Sequence, residues 1–78
     1  MLKIDGHDDA VIGSATPWSN HTRVEVLVYD GNKIVEKLVS EGMTQEEAFE
    51  FVEFNIEGAY VGEETPIIVW PGDINDYL

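Results

Sequence analysis

Cysteine is absent from the chain, which excludes a disulfide framework, a thiolate metal site and a cysteine nucleophile. Basic residues are scarce: Lys3, Arg23, Lys33 and Lys37 stand against 16 acids, a formal net charge of −12. That imbalance excludes direct binding to DNA, RNA or an anionic membrane, each of which calls for a cationic surface. It leaves a basic protein surface as the fitting kind of partner. Long apolar runs are missing as well, since none approaches the roughly 20 residues that cross a bilayer. The opening "MLKIDGHDDAVIG" carries Lys3 and Asp5 where a signal peptide has its apolar region, so a cytosolic protein is expected. There "NHT" at Asn20 to Thr22 has no meaning as a glycosylation signal.

Catalytic signatures are lacking too. Gly6, Gly13, Gly31, Gly58 and Gly62 form neither a dinucleotide fingerprint nor a phosphate loop. Ser14, Thr16 and Ser19 lie near His21 in sequence, but no nucleophile elbow surrounds them. Carboxylates are so many that no single pair stands out. Neither an enzyme nor a bound cofactor is expected.

What remains describes a small folded domain. The 78 residues, 44% of them apolar, make one domain with room for one core. A domain this size buries only about 60% of its unfolded surface, so its stability margin is thin. "MLKI" and "AVIGSAT" read as strands separated by the turn "DGHDD", and "PWSNHT" as a loop. "RVEVLVYD" alternates Val24, Val26 and Val28 with Glu25, Leu27 and Tyr29, the period of a strand, apolar on both faces towards its end. Asp30 caps a helix that sets Ile34, Val35, Leu38 and Val39 on one face and stops at Gly42. Thr44, with Glu47 three residues on, opens a second helix through a capping box. "TPIIVW" is a last strand, and residues 71–78 an acidic tail expected to be loose. The fold expected is α+β, in the order βββααβ: a small, mostly antiparallel sheet of about four strands with two helices on one face.

The second helix poses a question in "FVEFNIEGA". At about 100° per residue, Glu46, Glu50, Glu53 and Glu57 fall in one stripe, with Ala48, Phe51, Val52 and Ala59 on the far side. Asn55 comes out almost opposite the glutamates, inside the apolar face. An unpaired buried amide costs roughly 1–3 kcal/mol, so partners are expected for it. Either its amide ties a loop backbone to the helix, with "DGHDD" and "GEETP" as candidates, or it lines a pocket and bonds a ligand. The glutamate stripe also has two readings. It is a solvated helix face, or it is a partner face that gives up a few tenths of a kcal/mol per like-charged pair.

Asp5, His7, Asp8 and Asp9 gather in one turn, and oxygen-rich clusters suit Mg²⁺ or Ca²⁺. The run lacks the twelve-residue rhythm of an EF-hand, and His7 and His21 lack the spacing of a helical zinc motif. It reads as an acidic turn, and no metal site is expected.

"DGHDDAVIG", "VLVYD" and "GMTQEEAFEFVEFNIEGAYVGEETPI" together resemble a family of small acidic proteins encoded by tailed bacteriophages. The resemblance rests on Asp5, Gly6, Asp8, Asp9, Ile12 and Gly13, then Tyr29 and Asp30. It continues through Met43, Thr44, Glu46, Glu47 and Ala48, through Glu53, Phe54 and Asn55, and from Gly58 to Glu63, ending at Thr65 and Pro66. His7 stands where the family pattern has an aromatic, and "TPWSNHTRVE" lies outside the pattern. The resemblance implies an accessory protein acting in the cytoplasm of an infected bacterium, and it brings no reaction with it. It also groups Asp5, Asp8, Asp9, Asn55, Glu63 and Thr65 as one polar binding cluster with Asn55 at its floor.

Three functions follow as expectations. The first is non-catalytic binding to a basic surface of a host protein, through Glu46, Glu50, Glu53 and Glu57. The second is a small-molecule or metal-binding module built on the Asn55 cluster. The third is a minor virion or assembly factor.

Overall fold

The computed structural model describes residues 1–19, 21–59 and 62–77. Asn20, and the Tyr60 and Val61 of the resemblance pattern, lie outside the described residues. The chain is a small α+β domain, a three-stranded sheet with two helices.

The first helix, α1 (Gly31–Ser40), forms where its caps place it. The Asp30 carboxylate accepts from the backbone N–H of Asn32 at 2.9 Å and of Lys33 at 3.4 Å, satisfying two of the orphan donors of the first turn. Gly42, at φ +113°, ends the run in a conformation that costs glycine nothing. Ile34, Val35 and Leu38 are buried as the spacing predicts, whereas Val39 turns towards solvent. The helix α2 (Gln45–Phe51) opens with the expected capping box: Glu47 N–H donates to Thr44 Oγ1 at 3.1 Å, and Thr44 N–H donates to Glu47 Oε1 at 3.0 Å.

Beyond Phe51 the second helix changes pitch. Val52–Glu57 is a π-helical segment, closed by a bond from Gly58 N–H to the Glu53 carbonyl at 3.1 Å. The segment stops at Glu57, short of the Ala59 that the wheel places on the apolar face.

The sheet corrects the expected topology. It holds three strands, β1 (Val11–Ala15), β4 (Val26–Asp30) and β5 (Ile67–Val69), in the order β1-β4-β5. β1 runs antiparallel to β4, but β5 runs parallel to it, pairing Val28 with Ile67 and Tyr29 with Ile68. The sheet is therefore mixed, because the helical pair serves as the long crossover that parallel neighbours require. Met1–Ile4 adds no strand. It is held instead by Ile4 N–H, which donates to the Tyr29 hydroxyl at 2.8 Å, and by the Met1 ammonium, 3.3 Å from the Glu64 carboxylate. The loop "PWSNHT" and the start of "RVEVLVYD" also differ from expectation. Trp18–Ser19 (β2) and Thr22–Arg23 (β3) pair as a separate ribbon whose turn holds His21 at φ +67°.

Tyr29, Ile34, Val52, Ala48, Leu38 and Val35 form the core, with Leu27, Val11 and Ile68 packed against it from the sheet. Trp70, just past β5, lies across the other end of the helical layer. Its ring meets Phe49 with centroids 5.0 Å apart, and its Nε1–H donates to Glu57 Oε2 at 3.3 Å. The acidic tail folds back on the same tryptophan. Tyr77 O–H donates to the Trp70 carbonyl at 2.8 Å, Asn32 Nδ2 donates to the Pro71 carbonyl at 3.2 Å, and Ile74–Asp76 makes a 3₁₀ turn.

Candidate binding site

The π-helical segment answers the question of Asn55. Bonds from i to i+5 wind the chain more widely than an α-helix, so each residue advances by less than 100°. The buried ridge of the second helix becomes Ala48 and Val52, both fully buried, followed by half-buried Ile56. Asn55 rotates off that ridge and is exposed, and so is Ala59. Phe51, expected in the apolar face, is 38% exposed, and Phe54 is 74% exposed. A wheel of constant pitch misplaces Phe51, Asn55 and Ala59. Four apolar residues among the six from Phe49 to Phe54 already exceed one narrow face.

Asn55 stands on the ridge between two clefts. One, of about 360 Å³, has Met43, Phe51 and Phe54 as its apolar wall and Glu47 and Glu50 at its edge. The other, of about 380 Å³, is lined chiefly by Leu2, Ile4, Ile56, Ala59 and Pro66, with Asn55 and Thr65 contributing polar atoms. The asparagine carboxamide makes no hydrogen bond among the described residues, so its donor and acceptor both face outward.

The six residues of the expected polar cluster are distributed over the surface. Asn55 and Thr65 share the second cleft, where the Thr65 hydroxyl donates to the Gly62 carbonyl at 2.6 Å. Asp8 sits 3.4 Å from the Lys3 ammonium, and Lys3 lines that same cleft. Asp9 faces a different cleft, of about 490 Å³, with His7, Lys33, Glu36 and Lys37. Asp5 lies in an exposed turn that Gly6 makes at φ +83°, and Glu63 is exposed.

Of the glutamate stripe, Glu46, Glu50 and Glu53 are exposed, and their carboxylates have no hydrogen bond or ion pair among the described residues. The change of pitch turns Glu57 aside to the Trp70 indole. Glu47, outside the expected stripe, joins the acidic edge. Hydrogen bonds from the Thr44 backbone and hydroxyl hold its carboxyl below the usual value, so it is charged there.

His7 is half-buried, its Nδ1 shut away from solvent without a hydrogen-bond partner among the described residues. Burial first, and the Lys37 ammonium second, lower its pKa from 6.5 against the opposing pull of Glu41. Lys37 itself donates to the Gly6 carbonyl, pinning the acidic turn to α1. Among the described residues no three His, Asp or Glu side chains form a group that could hold a metal ion, and no helix is long and apolar enough to cross a membrane.

No protein-family model matches the chain, and no match is found among curated proteins or solved structures.

Proposed function

We propose that this protein acts by binding and not by catalysis, presenting the acidic face of its second helix to a basic surface of another protein. The observation that carries the reading is the run Glu46, Glu50 and Glu53, three exposed carboxylates with no ion pair among the described residues, beside a phenylalanine that is 74% exposed. Charge of one sign around an aromatic group matches the anatomy of a protein interface, where the aromatic gives contact area and the charges give steering. The net charge of −12 extends the attraction beyond the contact and opposes self-association. The resemblance to phage-encoded proteins supplies the setting, an infected bacterium in which such a chain would bind and modulate a host protein.

A second reading has one specific observation behind it. Asn55 and Thr65 line one cleft with an apolar floor, the composition of a small-molecule site. Its volume is at the low end for such sites, and a metabolite that carries phosphates would meet acidic repulsion.

Native mass spectrometry of the tagged chain, recovered from infected host cells, tests both. The expected result is a retained basic protein, lost as salt is raised and lost also from a variant with Glu46, Glu50 and Glu53 changed to Gln. A partner held equally by that variant would refute the acidic-face reading. A small fixed excess of mass on the chain would favour the small-molecule cleft in its place.

A further inference from the structure

The two clefts beside Asn55 share a wall, and neither is a closed cavity. We propose that they form one bipartite groove for a single basic segment of a partner protein. Two apolar side chains of that segment enter the clefts, and the Asn55 carboxamide bonds the segment's backbone between them. This deepens the acidic-face reading and rests on it.

Three observations lead to the groove. Both clefts have apolar side chains in their lining: Phe51, Phe54 and Met43 on one side of Asn55, Leu2, Ile4 and Ile56 on the other. Leu2 is 40% exposed and Phe54 nearly twice that, so each cleft opens beside an exposed apolar side chain. Exposed apolar groups gathered in this way mark an interaction surface. The second observation is the carboxamide itself. A side-chain amide offers one acceptor and two donors, the complement of a peptide unit, and at Asn55 none is used among the described residues. The third is the π-helical turn that brings it there. Without it Asn55 would stay close to the apolar ridge and the two clefts would not meet across an amide.

Charge selects the occupant. Glu47 and Glu50 border the first cleft and Glu53 follows on the helix. Lys3, the cation among the described residues that line the groove, is engaged by Asp8 at 3.4 Å. A second copy of this chain would bring its own −12 to that edge and be repelled. A segment bearing lysine or arginine around two apolar residues meets no such penalty. The apolar contacts set how long it stays, and the charges how fast it arrives.

The test uses the full ¹⁵N-labelled chain and synthetic Lys-rich peptides of equal charge, with two leucines at varied spacing or with alanine at both positions. The expected result is at least tenfold tighter binding of one leucine peptide than of its alanine control. Resonances of the Asn55 side-chain amide, Phe54 and Ile4 should move together. Phe54→Ser and Asn55→Ala, both at exposed positions and checked for a native spectrum, should reduce the leucine peptide to the alanine level. Equal binding of leucine and alanine peptides overturns the groove and leaves the acidic-face reading standing. Failure of every basic peptide to bind overturns both. A peptide-free dimer that Phe54→Ser dissolves overturns the groove too, by giving the surface to a second copy.

Discussion

Replacing Gly31 with alanine tests whether Trp70 is seated as tightly as the structure places it. A Cβ at position 31 would lie 2.7 Å from Cε3 and Cζ3 of the indole and 2.8 Å from Cδ2. Carbon atoms in contact sit about 3.5–4.0 Å apart, so the ring must withdraw by about 1 Å. It withdraws against Phe49, whose ring centroid is 5.0 Å away, and strains the bond from Nε1 to Glu57. Overpacking of this kind costs about 1–3 kcal/mol. Gly31 is not in the left-handed region, so alanine also removes backbone freedom from the unfolded chain, returning about 0.4–1 kcal/mol. The net expectation is a loss of about 1–2 kcal/mol, which for a domain this size lowers Tm by roughly 5–15 °C. Urea unfolding followed by far-ultraviolet circular dichroism, which needs no tryptophan, gives the number. The same Gly31→Ala change in a Trp70→Leu background should be neutral or stabilising, since the ring it meets is gone. An equal loss in both backgrounds, or none in either, would refute the contact.

Two predictions concern pH. His7 has its pKa lowered from 6.5 by burial and by Lys37, so the folded state favours the neutral imidazole. Between its folded pKa and 6.5 the unfolded chain binds more protons, and stability falls as pH drops through that window before levelling below it. Lys33, Lys37, Asp9 and Glu36 share its cleft, and Glu41 acts on it from the end of α1. His7→Gln should flatten the slope of urea stability against pH there, and an unchanged slope would assign it to other groups. Glu47 has its pKa depressed from 4.5 by Thr44, so its contribution is present above that value and lost as pH falls through the folded one. Thr44→Ala should cost about 1 kcal/mol and should raise amide exchange in α2 even at neutral pH, where the parent protects it.

How far the sequence carried depended on whether a feature was local. The first helix was legible because Asp30, Gly42 and the set Ile34, Val35 and Leu38 each state a boundary or a face within one turn. The Thr44–Glu47 capping box was legible for the same reason. The direction of β5 was not, since "TPIIVW" fits a parallel or an antiparallel neighbour equally and the choice is made by the helical crossover. Met1–Ile4 has the composition of a strand but spends the Ile4 amide on the Tyr29 hydroxyl. The proposed binding surface was half legible. Glu46, Glu50 and Glu53 are exposed as their spacing predicts. The exposure of Asn55 depends on a change of helical pitch that no propensity in "VEFNIE" announces. The grouping of Asp5, Asp8 and Asp9 with Asn55 asked the chain to bring three loops together, and the loops are placed by the sheet.

The parallel strand also sets an order of assembly. In the β1–β4 pair, Ala15 and Val26 are only eleven residues apart, whereas Val28 and Ile67 in the β4–β5 pair are thirty-nine apart. Closing the longer loop costs about 1 kcal/mol more in chain entropy, so the hairpin has the advantage and β5 docks late. The second cleft is bounded by Leu2 to Ile4 at one end of the sequence and by Thr65 and Pro66, which lead into β5, at the other. No fragment that folds early contains it. A partner seated there recognises the finished domain alone, and its binding energy adds to the stability of the whole fold and not of one element.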